Sequence, residues 1–129
     1  MNYLCLGYYT VDGRDRLSCE EYSTIVARCA TLDEELRASG RVRLVASLVD
    51  KEVVTLRTRA DDLLTTDGPC VECKEQVGSF LVIEASDLND AVRIASRHPA
   101  ARLGEELGWA LEVRPIGRLE NYGPGGGTE

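Results

Sequence analysis

Apolar positions follow two rhythms along this chain. Tyr3 to Tyr9 is a run of aromatic and apolar residues closed by the Asp12-Gly13 turn signal, which predicts a first strand. Ser18-Cys19-Glu20-Glu21 has the spacing of a capping box, in which the serine oxygen accepts the N3 amide and Glu21 reaches back to the cap. Tyr22, Ile25, Val26, Cys29, Leu32 and Leu36 then recur at helical spacing, and Gly40 supplies the left-handed residue that ends the helix.

The rhythm changes to period two after Gly40. Val42, Leu44, Ala46 and Leu48 alternate with Arg41, Arg43, Val45 and Ser47, the pattern of a half-buried strand. Val53 to Arg59 and Leu63 to Thr66 are shorter strand-like runs joined across Ala60-Asp61-Asp62, a small hairpin. Thr66-Asp67-Gly68-Pro69 is a turn by its chemistry. Ser79 to Ala85 suits a central strand. Asp87 to Asp90 caps a second helix with Leu88, Ala91, Val92, Ile94 and Ala95 inward, closed before Pro99. Ala110 to Ile116 reads as the last strand.

The order strand, helix, strand, hairpin, strand, helix, strand is the split βαβ arrangement. An α+β fold of ferredoxin-like type is expected over residues 1–118, with an inserted β-hairpin and both helices on one face of an antiparallel sheet. Residues 119–129 form a Gly-rich tail, expected to be flexible. Val42 to Val49 and Phe80 to Ala85 are apolar on both faces, so the uncovered sheet face predicts a homodimer packed sheet to sheet.

Composition narrows the partners. The chain has 129 residues, 15 Lys+Arg and 22 Asp+Glu, for a net charge of −7, with no basic tract, which argues against direct nucleic-acid binding. With 43% hydrophobic and 29% charged residues it falls in the globular range rather than the disordered one. No apolar run approaches the ~18 residues of a membrane span, and the N-terminus lacks a positive n-region, so a cytoplasmic location is expected. The odd count of 5 cysteines has no framework spacing, and they read as free thiols.

The segment from Thr66 through Asp67-Gly68-Pro69-Cys70-Val71-Glu72-Cys73-Lys74-Glu75-Gln76-Val77-Gly78 to Phe80 resembles the hallmark of the DGPF proteins, a branch of the YCII-related family. Ile83-Glu84-Ala85, Asp87-Leu88, Ala91, His98-Pro99-Ala100-Ala101 and Glu112 to Ile116 resemble the remaining landmarks of that family, in order. The resemblance implies a dimeric ferredoxin-like α/β barrel. It also implies a small-molecule-binding or regulatory module, since some DGPF proteins occur beside, or fused to, extracytoplasmic-function sigma factors. The alternative is an enzyme of the YCII type, with lyase- or dehydrochlorinase-like acid–base chemistry on a small ring compound. The YCII branch proper is thought to use a His on the first helix and an Asp before the Pro that follows the second. Those places fall near Cys29 and on His98 here, so the dyad is absent as such.

The candidate residues each have a plainer reading. Asp67, Gly68 and Pro69, with Lys74 and Glu75, form a polar rim for a ligand, or simply a tight turn followed by a solvated helical turn. His98, the one histidine, is the acid–base candidate, with Asp67 as its catalytic partner or with Cys29 as a thiolate–imidazole couple. Its plainer reading is an exposed loop residue, and that of Cys29 a small core residue. Cys70 and Cys73 form a CxxC that is a redox pair at most. No second Cys or His pair completes a metal site, and no motif calls for a cofactor. Arg41, Arg43, Arg57 and Arg59 form two rows that meet an anion if their strands pair; otherwise they face outward to Asp50, Asp61 or Asp62. Trp109 and Tyr122 are core or dimer anchors.

Overall fold

In the computed structural model, residues 1–10, 12, 16–69 and 75–128 are described. Strand β1 (Asn2–Thr10) leads to helix α1 (Cys19–Ala38), β2 (Val42–Ser47), a hairpin of β3 (Val54–Arg59) and β4 (Asp62–Asp67), and then β5 (Glu75–Glu84). Helix α2 (Leu88–Ala95), two short helices α3 (Pro99–Arg102) and α4 (Gly104–Leu107), and β6 (Ala110–Pro115) complete it. The main sheet has the order β2-β5-β1-β6 with every pair antiparallel. Each βαβ unit therefore brackets a strand of the other, the interleaving that defines the expected ferredoxin-like fold.

Alternation along β1 decides which face holds the core. Tyr3 and Cys5 pair with Ile83 and Leu81 and point to the helix side, where they pack with Leu36 of α1 and Ala91, Ile94 and Ala95 of α2. Leu4 and Leu6, opposite Val82 and Phe80, take the other face together with Leu44 of β2, which is 46% exposed. The middle of that second face is apolar, as its sequence suggested, but Glu84 of β5 and Glu112 and Arg114 of β6 share the face and make its margin charged. Ser18 caps α1 through the full reciprocal box with Glu21, and Gly40 adopts φ +73° just past its end.

Several sequence expectations need correction. β2 is an edge strand with a bulge between Val42 and Leu44, so Val42 faces the core while Leu44 and Ala46 turn to the other face; Val42 and Ala46 are partly buried, and Leu44 and Val45 are exposed. Leu88 and Val92 of α2 are 51% and 50% exposed, because Ala91, Ile94 and Ala95 alone fill the narrow space above the sheet. Glu75 begins β5 opposite Thr10, so it belongs to a strand and not to a helical turn. Arg41 donates to the Glu84 carbonyl and the Asp90 carboxylate, and Arg43 donates to Glu84; these clasps tie β2 to β5 and α2. β2 and β3 lie in different sheets, so the arginine rows never meet. Tyr122 is 91% exposed and anchors nothing in the core. Past β6, Glu120 and Thr128 form an isolated bridge, and the Asn121 amide donates to the Gly127 carbonyl.

The hairpin turns in two residues, not three: Asp62 already pairs with Arg59, and Ala60 and Asp61 both have positive φ. This is the turn geometry that suits hairpin twist, yet alanine tolerates it poorly. Ala60→Asn is expected to raise stability by about 1 kcal/mol, since asparagine visits this region readily. A urea melt checks it; an unchanged or lower midpoint would contradict the strain at Ala60.

Candidate functional site

Helix α1 meets the rest of the protein at its two ends. Leu36, near its C-terminus, packs on the sheet core, whereas Ile25 joins Leu103 and Leu107 from the α3–α4 segment and Trp109 just before β6. Between these contacts lies a cavity of about 910 Å³. That is within the range of small-molecule sites, roughly 300–1,000 Å³. Cys29, Asp33 and Arg37, one helical turn apart, line it from α1, and Tyr22 stands further along. The opposite side is formed by the ends of β1 and β5, with β2 and the Leu48–Lys51 loop closing the flank.

The floor depends on two glycines. The register slips between Gly7 and Tyr8, leaving Gly78 unopposed in β5, and both Tyr8 and Tyr9 after the slip line the cavity. A methyl group on Gly78 would stand 2.7 Å from the Tyr9 ring, and one on Gly7 would collide with the Ser79 hydroxyl. Their missing side chains let the tyrosine ring and the serine occupy this surface.

His98 stands in the wall, buried at 8% exposure. Pro99 does not leave a loop behind it; it occupies the first turn of α3, for which its fixed φ is suited. His98 is the N-cap of that helix, and its Nδ1 accepts the Ala100 amide at 3.0 Å. Ala100, Leu103 and Leu107 then bury the turn. The exposed-loop reading of His98 is thereby corrected.

Burial pushes the His98 imidazole below its ordinary pKa, while the negative charge of Asp33 pulls it part of the way back. Burial, reinforced by Asp33, raises the Cys29 thiol. Both shifts oppose charge separation, so a thiolate–imidazolium couple between Cys29 and His98 is disfavoured. Cys5, fully buried in the core, is pushed up to about 11 by desolvation.

Asp67, Gly68 and Pro69 end the hairpin instead of lining the cavity. Gly68, at φ +100°, donates its amide to the Val53 carbonyl, and the Thr55 hydroxyl donates to the Gly68 carbonyl, so the motif closes the base of the hairpin. Glu75 is exposed on β5 and is also absent from the cavity lining. Lys74, Cys70 and Cys73 lie outside the described residues. Among the described residues no cluster of metal-ligating side chains occurs.

The cavity thus joins the two positions that the family resemblance singled out, Cys29 and His98, although they lie on different helices far apart in the chain. Residues 1–116 match the model of the YCII-related domain. The chain belongs to the YCII-related family. An uncharacterised protein of Rhizobium meliloti (strain 1021) is 29% identical over 126 residues, covering 97% of each chain. Among solved structures this YCII-related chain is similar to a 5-chloro-2-hydroxyhydroquinone dehydrochlorinase from Burkholderia phenoliruptrix AC1100 in complex with 2,5-dihydroxybenzoquinone. That likeness has 17% identity, a TM-score of 0.43, and coverage of 97% of this chain and 98% of the other. No helix of this YCII-related chain among its described residues is long and apolar enough to cross a membrane.

Asp33, Arg37, Ser79 and Tyr8 are among the cavity residues that sequence reasoning missed, whereas Trp109, read as a core or dimer anchor, packs on the Ile25, Leu103 and Leu107 cluster and also lines the cavity. For Asp33 a signal was available: Cys29, Asp33 and Arg37 fall at i, i+4 and i+8 and must share one helix face.

Proposed function

We propose that this YCII-related chain binds a compact ring compound in the cavity between α1 and the sheet. The carrying observation is the placement of its single histidine, buried in the wall of a cavity that Asp33 and several aromatic side chains also line, with the Asp33 charge acting on it. Flat apolar surfaces from Tyr8, Tyr22 and Trp109, with a few convergent polar groups, suit a planar ligand that carries polar substituents. The apolar middle of the second sheet face supports a homodimer, with Leu4, Leu6, Leu44 and Phe80 in the interface and Glu84, Glu112 and Arg114 at its margin. The DGPF-like segment supports a regulatory role linked to a sigma factor, in the cytoplasm, with the bound compound as signal.

A second reading is acid–base catalysis on the same class of compound. It is favoured by the presence of an imidazole and a carboxylate in one concave site. In it Asp33, rather than Asp67, is the partner of His98, because Asp67 is absent from the cavity.

Trp109 is the only tryptophan and lines the cavity, so its fluorescence reports occupancy without a label. Titration with phenol, catechol and benzohydroxamic acid is expected to give a saturable emission change for at least one of them, with a matching shift of the His98 imidazole signals. Linear, non-saturating quenching by all three would overturn the reading. Recovering the bound compound unchanged supports binding, and its conversion supports catalysis.

A further inference from the structure

The Nδ1 contact decides what His98 can do. Because Nδ1 accepts the Ala100 amide, a neutral imidazole must carry its proton on Nε2. Such a ring donates from Nε2 and has no lone pair there with which to take a proton. Protonating Nδ1 would break the cap of α3 in a site where burial already resists charge. A general base elsewhere in the cavity is therefore needed if protons move.

Asp33 meets the requirement. It is half-buried, lines the same cavity, and no hydrogen bond or ion pair among the described residues engages its carboxylate. The other charged groups lining the site are Arg37 on α1 and Asp50 and Lys51 on the loop after β2; the remaining titratable groups are Cys29 and the three tyrosines Tyr8, Tyr9 and Tyr22. Of the acids, Asp50 is exposed at the rim, whereas Asp33 acts electrostatically on both His98 and Cys29.

We propose that Asp33 is the proton acceptor of this cavity and His98 its neutral hydrogen-bond donor. The proposal deepens the ring-compound reading, on which it rests, and assigns the two roles in the order opposite to the usual one for histidine. A ligand fits the pair when it offers an acidic O–H to Asp33 beside an oxygen that accepts from His98 Nε2–H. Adjacent hydroxyl and carbonyl groups on a neutral molecule meet both demands, whereas a carboxylate meets Asp33 with like charge. When the proton moves, the ligand O–H bond breaks and an Asp33 O–H bond forms. The electron pair stays on the ligand, and the oxyanion character is held by the Nε2–H donor. A neutral histidine whose lowered pKa suits it to this task is an established device for polarising an oxygen.

The test starts without ligand, so it can fail independently of the binding reading. In ¹⁵N-labelled protein at pH 7, long-range ¹H–¹⁵N spectra of the single imidazole are expected to show Nδ1 unprotonated and Nε2 protonated. A protonated Nδ1 overturns the proposal. Asp33→Asn is expected to lower the His98 pKa further, because it removes the charge that raises it, whereas Asp67→Asn leaves it unchanged. An unmoved pKa in both Asp33→Asn and Asp33→Ser overturns the pairing. With benzohydroxamic acid and benzoate as probes, wild type is expected to prefer the neutral hydroxamic acid. Asp33→Asn is expected to weaken hydroxamic acid binding at least tenfold and leave benzoate binding unweakened. Equal losses for both probes would mean that Asp33 only maintains the cavity's shape, and would overturn its assigned role.

Discussion

Leu81→Ala is expected to lower stability by about 2–5 kcal/mol, the range for truncating a buried leucine. Leu81 is 0% exposed and sits in the central strand β5, opposite Cys5 on one side and Val45 on the other. Its side chain belongs to the cluster joining the sheet to Leu36 of α1 and Ala91, Ile94 and Ala95 of α2. Two helices therefore lose packing at once, and in a backbone hydrogen-bonded on both sides the void cannot easily collapse. Thermal melts should show the midpoint falling by roughly 10 °C or more. Leu63→Ala, on the exposed hairpin at 67% exposure, should stay within about 0.5 kcal/mol of wild type. Comparable losses in the two variants would contradict this placement of the core.

His98→Asn is expected to flatten the acid side of the stability profile. Burial sets the folded-state pKa of His98 below its ordinary value of 6.5, so the unfolded chain takes up the proton first. Stability is therefore lost as pH falls below about 6.5, at up to about 1.4 kcal/mol per pH unit, until the folded-state pKa is reached. Asparagine retains an oxygen that can accept the Ala100 amide, so the cap survives while the titration disappears. Asp90 does not blur this window. Its carboxylate is held far below its usual range by the Ser86 amide and by Arg93 and Arg41, so its contribution is lost only in much stronger acid. Melts at pH 7.5, 6.0 and 5.0 decide the matter: equal slopes for variant and wild type would show that His98 is not buried as a neutral group.

Where one local rule settled a segment, the sequence was readable. The Ser18–Glu21 box, Gly40 and the apolar run of β1 are set by neighbouring residues, and the structure matches them in place and kind. The strand order followed because two βαβ units with apolar strands have few ways to share one sheet. The cavity was harder to read, since it depends on how far α1 stands from β2, a distance no local pattern encodes. His98 was misplaced for a related reason. Pro99 was read as an end, yet it starts a short helix whose burial depends on Leu103 and Leu107 reaching Ile25 across the chain. The Asp67-Gly68-Pro69 motif marked the family but drew attention to the hairpin base and away from α1, where Asp33 lies.

The hairpin β3–β4 has one more consequence. The two strands that flank it in sequence, β2 and β5, are hydrogen-bonded to each other, while β3 and β4 pair only together. The main sheet is thus complete without the insert. Evolution can lengthen, shorten or recolour that arm without reopening a single rung of the four-stranded ladder, so the arm is where relatives sharing this cavity can diverge most freely in what they touch.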